Sequence, residues 1–500
     1  MTLISRIVGF VRDMVLAQMF GAVAGMDAFY IAFRIPNFMR RLFAEGSFSQ
    51  AFVPVLADYQ KNQPPEVVKD FIAKVSGRLI LVLSLVTVIG VLAAPWIITI
   101  FAPGFGDGAR HVLATELIRV TFPYLMLISL TAMAGAVLNT YGYFGVPAFT
   151  PVFLNITMIL AALYLSPLMS PTVKGLAYGV LIAGIVQFFF QLPFMAQKGL
   201  LVKPKFAKHD VGVTRVMRLM VPALFGVSIA QINLMIDTMF ASFLQVGSVS
   251  WLYFTDRLTD FPLGVFGVAI ATVILPHLSL QHANDDKVKF SKALDWGLRL
   301  LLLIGIPSAI GLMIFSMPMI AACFGYGAFK LTDLLQTQCS TITLALGVPA
   351  FMMVKVLASG FYAKQDIKTP VKVGVWVMVV NSLLCLVLIQ FLAHAGLTLA
   401  SSLAGYVNCA ALLLMLIKRD IYQPQEKWVK FLFQIMIANA VMAIYLFWVL
   451  GNVDFWLSLP AYTRFLLLMT HVLVAAGIYA LSLGAVGIRV KQFRGQVKGE

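Results

Sequence analysis

Apolar residues run along most of this chain in stretches of roughly twenty, long enough for an α-helix to cross the hydrocarbon core of a bilayer. Fourteen such segments can be marked, at approximately 2–22, 26–57, 76–101, 113–138, 147–168, 173–196, 214–243, 249–280, 291–317, 332–360, 371–392, 396–417, 428–450 and 461–487. Proline and glycine punctuate them: Ala102-Pro103-Gly104 closes the third and Ser166-Pro167 the fifth. The pattern predicts an all-α, polytopic membrane protein of about fourteen transmembrane helices.

The charges between the segments test that division. With the N-terminus inside, the cytoplasmic connections carry Lys61, Lys69, Lys74, then Lys198, Lys203, Lys205, Lys208, Arg215, Arg218, then Lys287, Lys289, Lys292, then Lys364, Lys368, Lys372, then Lys418, Arg419, Lys427 and Lys430. The C-terminal tail adds Arg489, Lys491, Arg494 and Lys498, whereas the opposite loops hold Arg110, Lys174, Lys330 and Arg464. One miscounted span would reverse every later loop, so the one-sided bias supports the count and places both termini in the cytoplasm.

The pattern also repeats at an offset of roughly 222 to 226 residues. Tyr30-x-x-x-Arg34 recurs as Tyr253-x-x-x-Arg257, followed by Pro54 or Pro276, and Pro123 and Pro147 are echoed by Pro349 and Pro370. Six spans precede the second copy, so the two copies share an orientation, and parallel repeats of this kind build transporters with the substrate site between the halves. The expected organisation is an N-lobe at 1–197 (helices 1–6), a basic cytoplasmic linker at 198–213, and a C-lobe at 214–418 (helices 7–12). Helices 13 and 14 and a cytoplasmic tail follow at 419–500.

Composition narrows the picture without changing it. Of the 500 residues 60% are hydrophobic and 12% charged, and mean hydropathy is +0.91, which a soluble chain of this size does not sustain. The formal net charge of +16 would suggest nucleic acid in a soluble protein, but here the positive-inside bias accounts for it, and no nucleic-acid partner is expected. The four cysteines, Cys323, Cys339, Cys385 and Cys409, lack metal-ligand spacing. No cleavable signal peptide is expected, since Arg6, Arg12 and Asp13 interrupt the first apolar segment.

The chemistry lies in charges inside the spans. A charge at mid-bilayer costs about 2.5–3.5 kcal/mol even on a lenient scale, so it must face water, pair with an acid or snorkel to an interface. Arg78, Arg119 and Arg299 lie near span ends, where snorkelling suffices; Lys355 also falls inside a span. On the second span Asp27, Tyr30, Arg34, Asn37, Arg41 and Glu45 fall within about 80° of a helical wheel, a polar stripe expected of a cavity-lining helix. Arg40 falls off that stripe, although Pro36 and Gly46 could re-aim it. Arg6, Gly9 and Asp13 share a face of the first span with Arg12 to one side. Tyr253, Arg257, Asp260 and Gly264 share one on the eighth, where Arg257 can pair with Asp256 or Asp260. Internal acid–base pairing is the plainer reading of part of this set. Guanidinium groups in a wet, low-dielectric cavity also suit a phosphate, whose oxygens match their paired donors. Asp237, one turn after Asn233, and Asn381 are candidates for a monovalent cation or a proton, or for a structural hydrogen bond. No metal site, catalytic motif or nucleotide-binding loop is present in the sequence, so a transporter without a cofactor is expected, driven by a coupling cation or the membrane potential.

These residues resemble the MurJ/MviN lipid II flippase family of the multidrug/oligosaccharidyl-lipid/polysaccharide exporter superfamily. Ser5-Arg6-Ile7-Val8-Gly9-Phe10-Val11-Arg12-Asp13 resembles its first-helix signature. Asp27-Ala28-Phe29, Arg34-Ile35-Pro36-Asn37 and the run from Arg40 to Pro54 resemble its second. Ser248-Val249-Ser250-Trp251 with Asp256-Arg257-Leu258 and Phe261-Pro262-Leu263-Gly264 is similar to its eighth helix, and Gly360 to Pro370 to the loop after its tenth. The resemblance implies two six-helix lobes around a central cationic cavity, with helices 13 and 14 forming a groove for a polyprenyl tail. It implies functional roles for Arg6, Arg12, Asp27, Arg40, Glu45, Asp256 and Arg257, favouring Arg40 against the wheel. Two departures stand out: almost no residues precede the first-helix motif, and Asp260 stands where many relatives have glutamate.

The implied activity is movement of lipid II, an undecaprenyl-diphosphate-linked peptidoglycan precursor, from the cytoplasmic to the periplasmic leaflet of a bacterial inner membrane. Alternating access would present Arg6, Arg12, Arg40 and Arg257 to the diphosphate. A flippase for another polyprenyl-linked glycan is the near alternative; a drug or cation antiporter of the superfamily would favour an acidic cavity. The implied partners are the lipid-linked substrate, membrane lipids and proteins of cell-wall synthesis, with the transporter itself a monomer.

Overall fold

A computed structural model describes residues 2–41, 48–206 and 210–488. Among these residues the secondary structure is helical throughout, and the chain divides into two compact units, Met1–Ser250 and Trp251–Glu500. Glu45 and the basic tail from Arg489 onward lie outside the described residues.

The first unit holds α1 (Thr2–Phe20), α2 (Ala24–Arg40), α3 (Ser49–Asn62), α4 (Pro65–Leu92), α5 (Ala94–Phe101), α6 (Ala109–Thr121), α7 (Tyr124–Thr140), α8 (Gly145–Leu160), α9 (Lys174–Gln197) and α10 (Val211–Ser242). Helix α1 packs on α8, α2 on α6 and α7, and α9 on α7 and α8; α10, which opens the second sequence repeat, packs on α3, α4 and α5. Its core is aromatic and aliphatic: Phe48 stacks on Phe52 at 4.9 Å and Phe52 on Phe71 at 5.9 Å, among buried Val55, Leu79, Leu83 and Val137.

The basic linker is tied down before α10 begins. Lys205 N–H donates to the Ala73 carbonyl at 2.8 Å, which brings its backbone across Gly77. A β-carbon on Gly77 would lie 2.2 Å from the Lys205 carbonyl oxygen, so glycine is required there. Asp210 then starts α10, accepting from Gly212 N–H at 2.9 Å and Val213 N–H at 3.1 Å, as an N-cap aspartate does. Its other oxygen takes Lys74 at 2.9 Å, and Lys74 and Lys205 share Asp70.

The second unit continues α11 (Ser248–Pro262) through a π-helical turn, Leu263–Gly267, into α12 (Val268–Ala283). There follow α13 (Lys287–Cys323), α14 (Leu331–Ala345), α15 (Val348–Ala363), α16 (Lys368–Lys418), α17 (Trp428–Val449), α18 (Val453–Ser458) and α19 (Ala461–Ala485). Helix α13 is the centre of this unit, touching α12, α14, α15, α17, α18 and α19. Thus the C-terminal helices outside the repeat dock on it rather than standing apart.

Among the described residues nine helical segments are long and apolar enough to cross a membrane, or ten when α14 and α15, bent by 41°, are taken as one span. Fourteen spans are expected from sequence, and the difference has physical causes. Helix α1 carries Arg6, Arg12 and Asp13; the second expected span falls on α2 and α3. Helix α16 is two helices that meet at a kink at Ala393, with φ 48° and ψ −126°, between the two segments expected at 371–392 and 396–417, and the pair is counted once among the nine. A β-carbon on Gly396 would sit 2.3 Å from the Leu388 carbonyl oxygen, showing how closely the chain returns on itself.

Candidate substrate site

In the first unit the charged residues of α1 and α2 differ in their burial and in the partners that hold them. Arg12 is 3% exposed and Asp13 is fully buried. The Arg12 guanidinium donates to Asp13 Oδ1 at 2.6 and 2.9 Å and to Asn155 Oδ1 of α8 at 2.9 Å. Asn155 in turn donates to the Ser5 carbonyl at 3.1 Å. This network joins α1 to α8 and neutralises one guanidinium with a neighbouring acid, as one of the two sequence readings allows. Arg6, almost two turns earlier, is exposed.

Asp27 is 1% exposed and faces the start of α11. It accepts from Gly247 N–H at 2.7 Å, Ser250 N–H at 3.0 Å and the Ser250 hydroxyl at 2.7 Å. A carboxylate at the N-terminus of a helix meets its unsatisfied N–H groups and the positive end of its dipole. The stripe residue Asp27 thus anchors a helix.

Further along α2, Arg34 donates to Thr238 Oγ1 of α10 at 2.6 Å. Arg40 Nε donates to Asn37 Oδ1 at 3.3 Å, a pairing across one turn that brings Arg40 to the polar stripe from which the wheel excluded it. Tyr30 is buried, whereas Arg41, at the end of the helix, is exposed. On α10, Asn233 Nδ2 lies 3.5 Å from Asp237 Oδ2.

In the second unit Arg257 donates to the Tyr253 hydroxyl at 3.0 Å, and its guanidinium lies 5.0 Å from the centre of that ring. The repeated Tyr-x-x-x-Arg spacing therefore has a direct use here, since a donor one helical turn from a phenol meets its oxygen. Asp256 is partly buried and Asp260 exposed. Asn381 is 1% exposed on α16. Bonds from Arg34, Arg40 and Arg257 to neighbouring hydroxyl and amide oxygens orient each guanidinium.

Several participants were given no role by the sequence. Thr238 reads as an ordinary threonine in an apolar span, and Ser250 lies in the motif that opens the eighth span with no role assigned to it. Asn155 is an amide well inside the fifth span, a signal of the kind that draws attention to Asn381. Two further clusters belong to the frame. Asp295 of α13 accepts from the Tyr422 hydroxyl at 2.6 Å and Trp428 Nε1 at 2.7 Å and pairs with Arg299 at 2.6 Å. Arg299 therefore has an acid partner near the span end where the sequence predicts snorkelling. Arg464 is only 4% exposed.

Helices interrupted at glycine, proline and π turns, carrying arginines within apolar spans, define a polytopic membrane transporter rather than an enzyme. The comparisons make the assignment specific. The family model "Lipid II flippase MurJ" matches residues 16–470. A Vibrio cholerae protein named "Probable lipid II flippase MurJ" is 45% identical over 99% of this chain and 96% of its own length. A Burkholderia cenocepacia protein named "Lipid II flippase MurJ" is 40% identical over 99% and 98%. The solved structure "Lipid II flippase MurJ, inward closed conformation" superposes with a TM-score of 0.80 at 27% identity, covering 96% of each chain. A multidrug resistance MATE family transporter of the MOP superfamily, in an inward-facing conformation, has a TM-score of 0.69 at 14% identity over 83% of this chain and 94% of its own, a likeness of fold alone. The chain belongs to the MurJ lipid II flippase family, and it is a multi-pass protein of a bacterial inner membrane.

Proposed function

We propose that this protein carries lipid II from the cytoplasmic to the periplasmic leaflet by alternating access, with both termini in the cytoplasm. The observation that carries the reading is the family match along nearly the whole chain. The arginine geometry supports an anionic head group. Arg40 and Arg257 are held by an amide and a phenol, poised to meet diphosphate oxygens with charge-assisted hydrogen bonds. Arg6, exposed on α1, is the third contact, with Arg34, Asn37, Asp256 and Asp260 as flanking polar groups. Arg12 acts through Asp13 and Asn155 to hold α1, and Asp27 acts by fixing the start of α11. The polyprenyl tail lies along α17 and α19. The proteins of cell-wall synthesis are its partners, and the transporter works as a monomer.

The energy source follows from charge. Moving an anion outward down an inside-negative potential releases about 2.3 kcal/mol per charge per 100 mV, which supplies drive without ATP. Asp237 with Asn233, and separately Asn381, are the groups through which a monovalent cation would be coupled.

Translocation of labelled lipid II in vesicles tests the reading. Wild type moves the lipid, and Arg257→Ala and Arg40→Ala slow it strongly. Equal rates for all three would remove the cationic site, and no movement by wild type would remove the function.

A further inference from the structure

Lys355 lies inside an apolar span, and nothing in the preceding mechanism uses it. It stands eight residues before the end of α15 at Ala363, about 12 Å along the axis at 1.5 Å per residue. Side chains on a helix lean toward its N-terminus, so this one leans away from the cytoplasmic end of the span. Snorkelling, which serves basic residues at span ends, is therefore a poor account of it.

Its stem is instead laid on protein. A β-carbon at Gly267 would meet Lys355 Cδ at 3.3 Å and Cε at 3.6 Å, and Gly267 is buried at the close of the π-helical turn. Lys355 is partly buried, and among the described residues its ammonium has no hydrogen-bond or ion-pair partner. Both supporting elements are interrupted spans: α15 is the second arm of the pair bent by 41°, and the π turn breaks the run from α11 to α12. Interrupted spans are where membrane transporters place their ligand groups, and π turns recur at functional sites. An ionisable group at this depth calls for a partner of opposite charge.

We infer that Lys355 is a further substrate contact, supplying a cation to the phosphate chemistry of the lipid head group at the π turn of the second unit. The inference rests on the lipid II reading and adds a residue to it. An ammonium on a flexible stem suits it to follow a moving phosphate, where the planar guanidinium of Arg257 fixes one.

Lys355→Met keeps the length and apolar stem and removes the charge. Its binding of lipid II in detergent weakens about tenfold or more, the usual loss for a charge-assisted hydrogen bond, while Lys355→Arg recovers most of it. If Lys355→Met binds and translocates lipid II as wild type does in the same vesicles, the inference falls and the flippase reading stands; if wild type itself moves no lipid II, that reading falls. A second measurement is independent of Lys355→Met folding. In a chain whose four cysteines are replaced by alanine, Lys355→Cys is labelled by a charged, water-soluble thiol reagent. Lipid II slows the labelling, whereas an equal amount of phosphatidylglycerol does not. No labelling, or equal protection by phosphatidylglycerol, overturns the assignment.

Discussion

Asp27 takes both the backbone N–H and the hydroxyl of Ser250 on one carboxylate oxygen, at 3.0 and 2.7 Å, while its other oxygen holds Gly247. Removing it leaves buried donors at the start of α11 unanswered, at about 1–3 kcal/mol each. Asp27→Ala is therefore expected to lower stability by about 2–4 kcal/mol, read as a fall in melting temperature in detergent. Asp27→Asn keeps one acceptor and falls less. A direct substrate role predicts the opposite pattern, with normal melting and lost lipid II binding.

Arg464 answers four carbonyls at once. Its two terminal nitrogens reach Ala321 and Gly325 at the end of α13, at 2.8 and 2.9 Å, and Leu457 and Leu459 at the end of α18, at 2.9 and 3.1 Å. Helix C-termini present unpaired carbonyls and the negative end of the dipole, so the planar fork of an arginine satisfies two chain ends together. Arg464→Met should cost about 3–5 kcal/mol and loosen α19 from α13. Arg464→Lys rescues little, because one ammonium cannot span both pairs. Hydrogen exchange of α18 and α19 measures the difference.

These two residues mark how far the sequence could be read. Most of the apolar spans were legible from hydropathy, but the π turn after Pro262 and the bend between α14 and α15 lie inside segments marked as single spans. The break at Ala393 was legible as a boundary, but nothing about alanine announces φ 48°. Arg12 with Asp13 was visible as neighbours one residue apart. Asn155, which completes that network, lies 143 residues away, and Ser250 lies 223 from Asp27. No local pattern encodes such distances. Arg464 was counted among loop charges because position between spans says nothing about burial. The helical wheel misplaced Arg40 because it treats a side chain as a direction, whereas a long guanidinium reaches sideways to Asn37.

Gly77 sets two effects against each other. Alanine is the better helix former by about 0.8–1 kcal/mol, so propensity alone predicts that Gly77→Ala stabilises α4. The added carbon would stand 2.2 Å from a backbone oxygen of Lys205, and backbone cannot turn aside as a flexible side chain does. The linker must lift, breaking the bond from Lys205 to Ala73 and straining the Asp70 and Asp210 pairs. Destabilisation is the expected outcome, with limited proteolysis cutting at 198–213 faster than in wild type. Slower cutting would show that propensity wins.

Asp366, in the connection before α16, gives the fold a dependence on acid. The Thr369 hydroxyl donates to it at 2.6 Å and the Thr369 N–H at 3.0 Å, while Arg419 reaches it at 2.8 Å. These partners, the Thr369 hydroxyl foremost, hold its carboxyl below the usual aspartate value despite some desolvation. A depressed carboxylate contributes stability that is fully present above the unfolded-state pKa, about 3.9, and that is lost as pH falls through the lower folded-state value. The helix start at Thr369 and the tie from α16's far end at Arg419 should therefore weaken only below about pH 4. Between neutrality and that point the contribution stays constant. Asp366→Asn removes the ionisable group, so its melting temperature starts lower at neutral pH and converges on wild type in acid. Parallel curves for the two proteins down to the acid limit would show that the Asp366 charge contributes nothing to the joint.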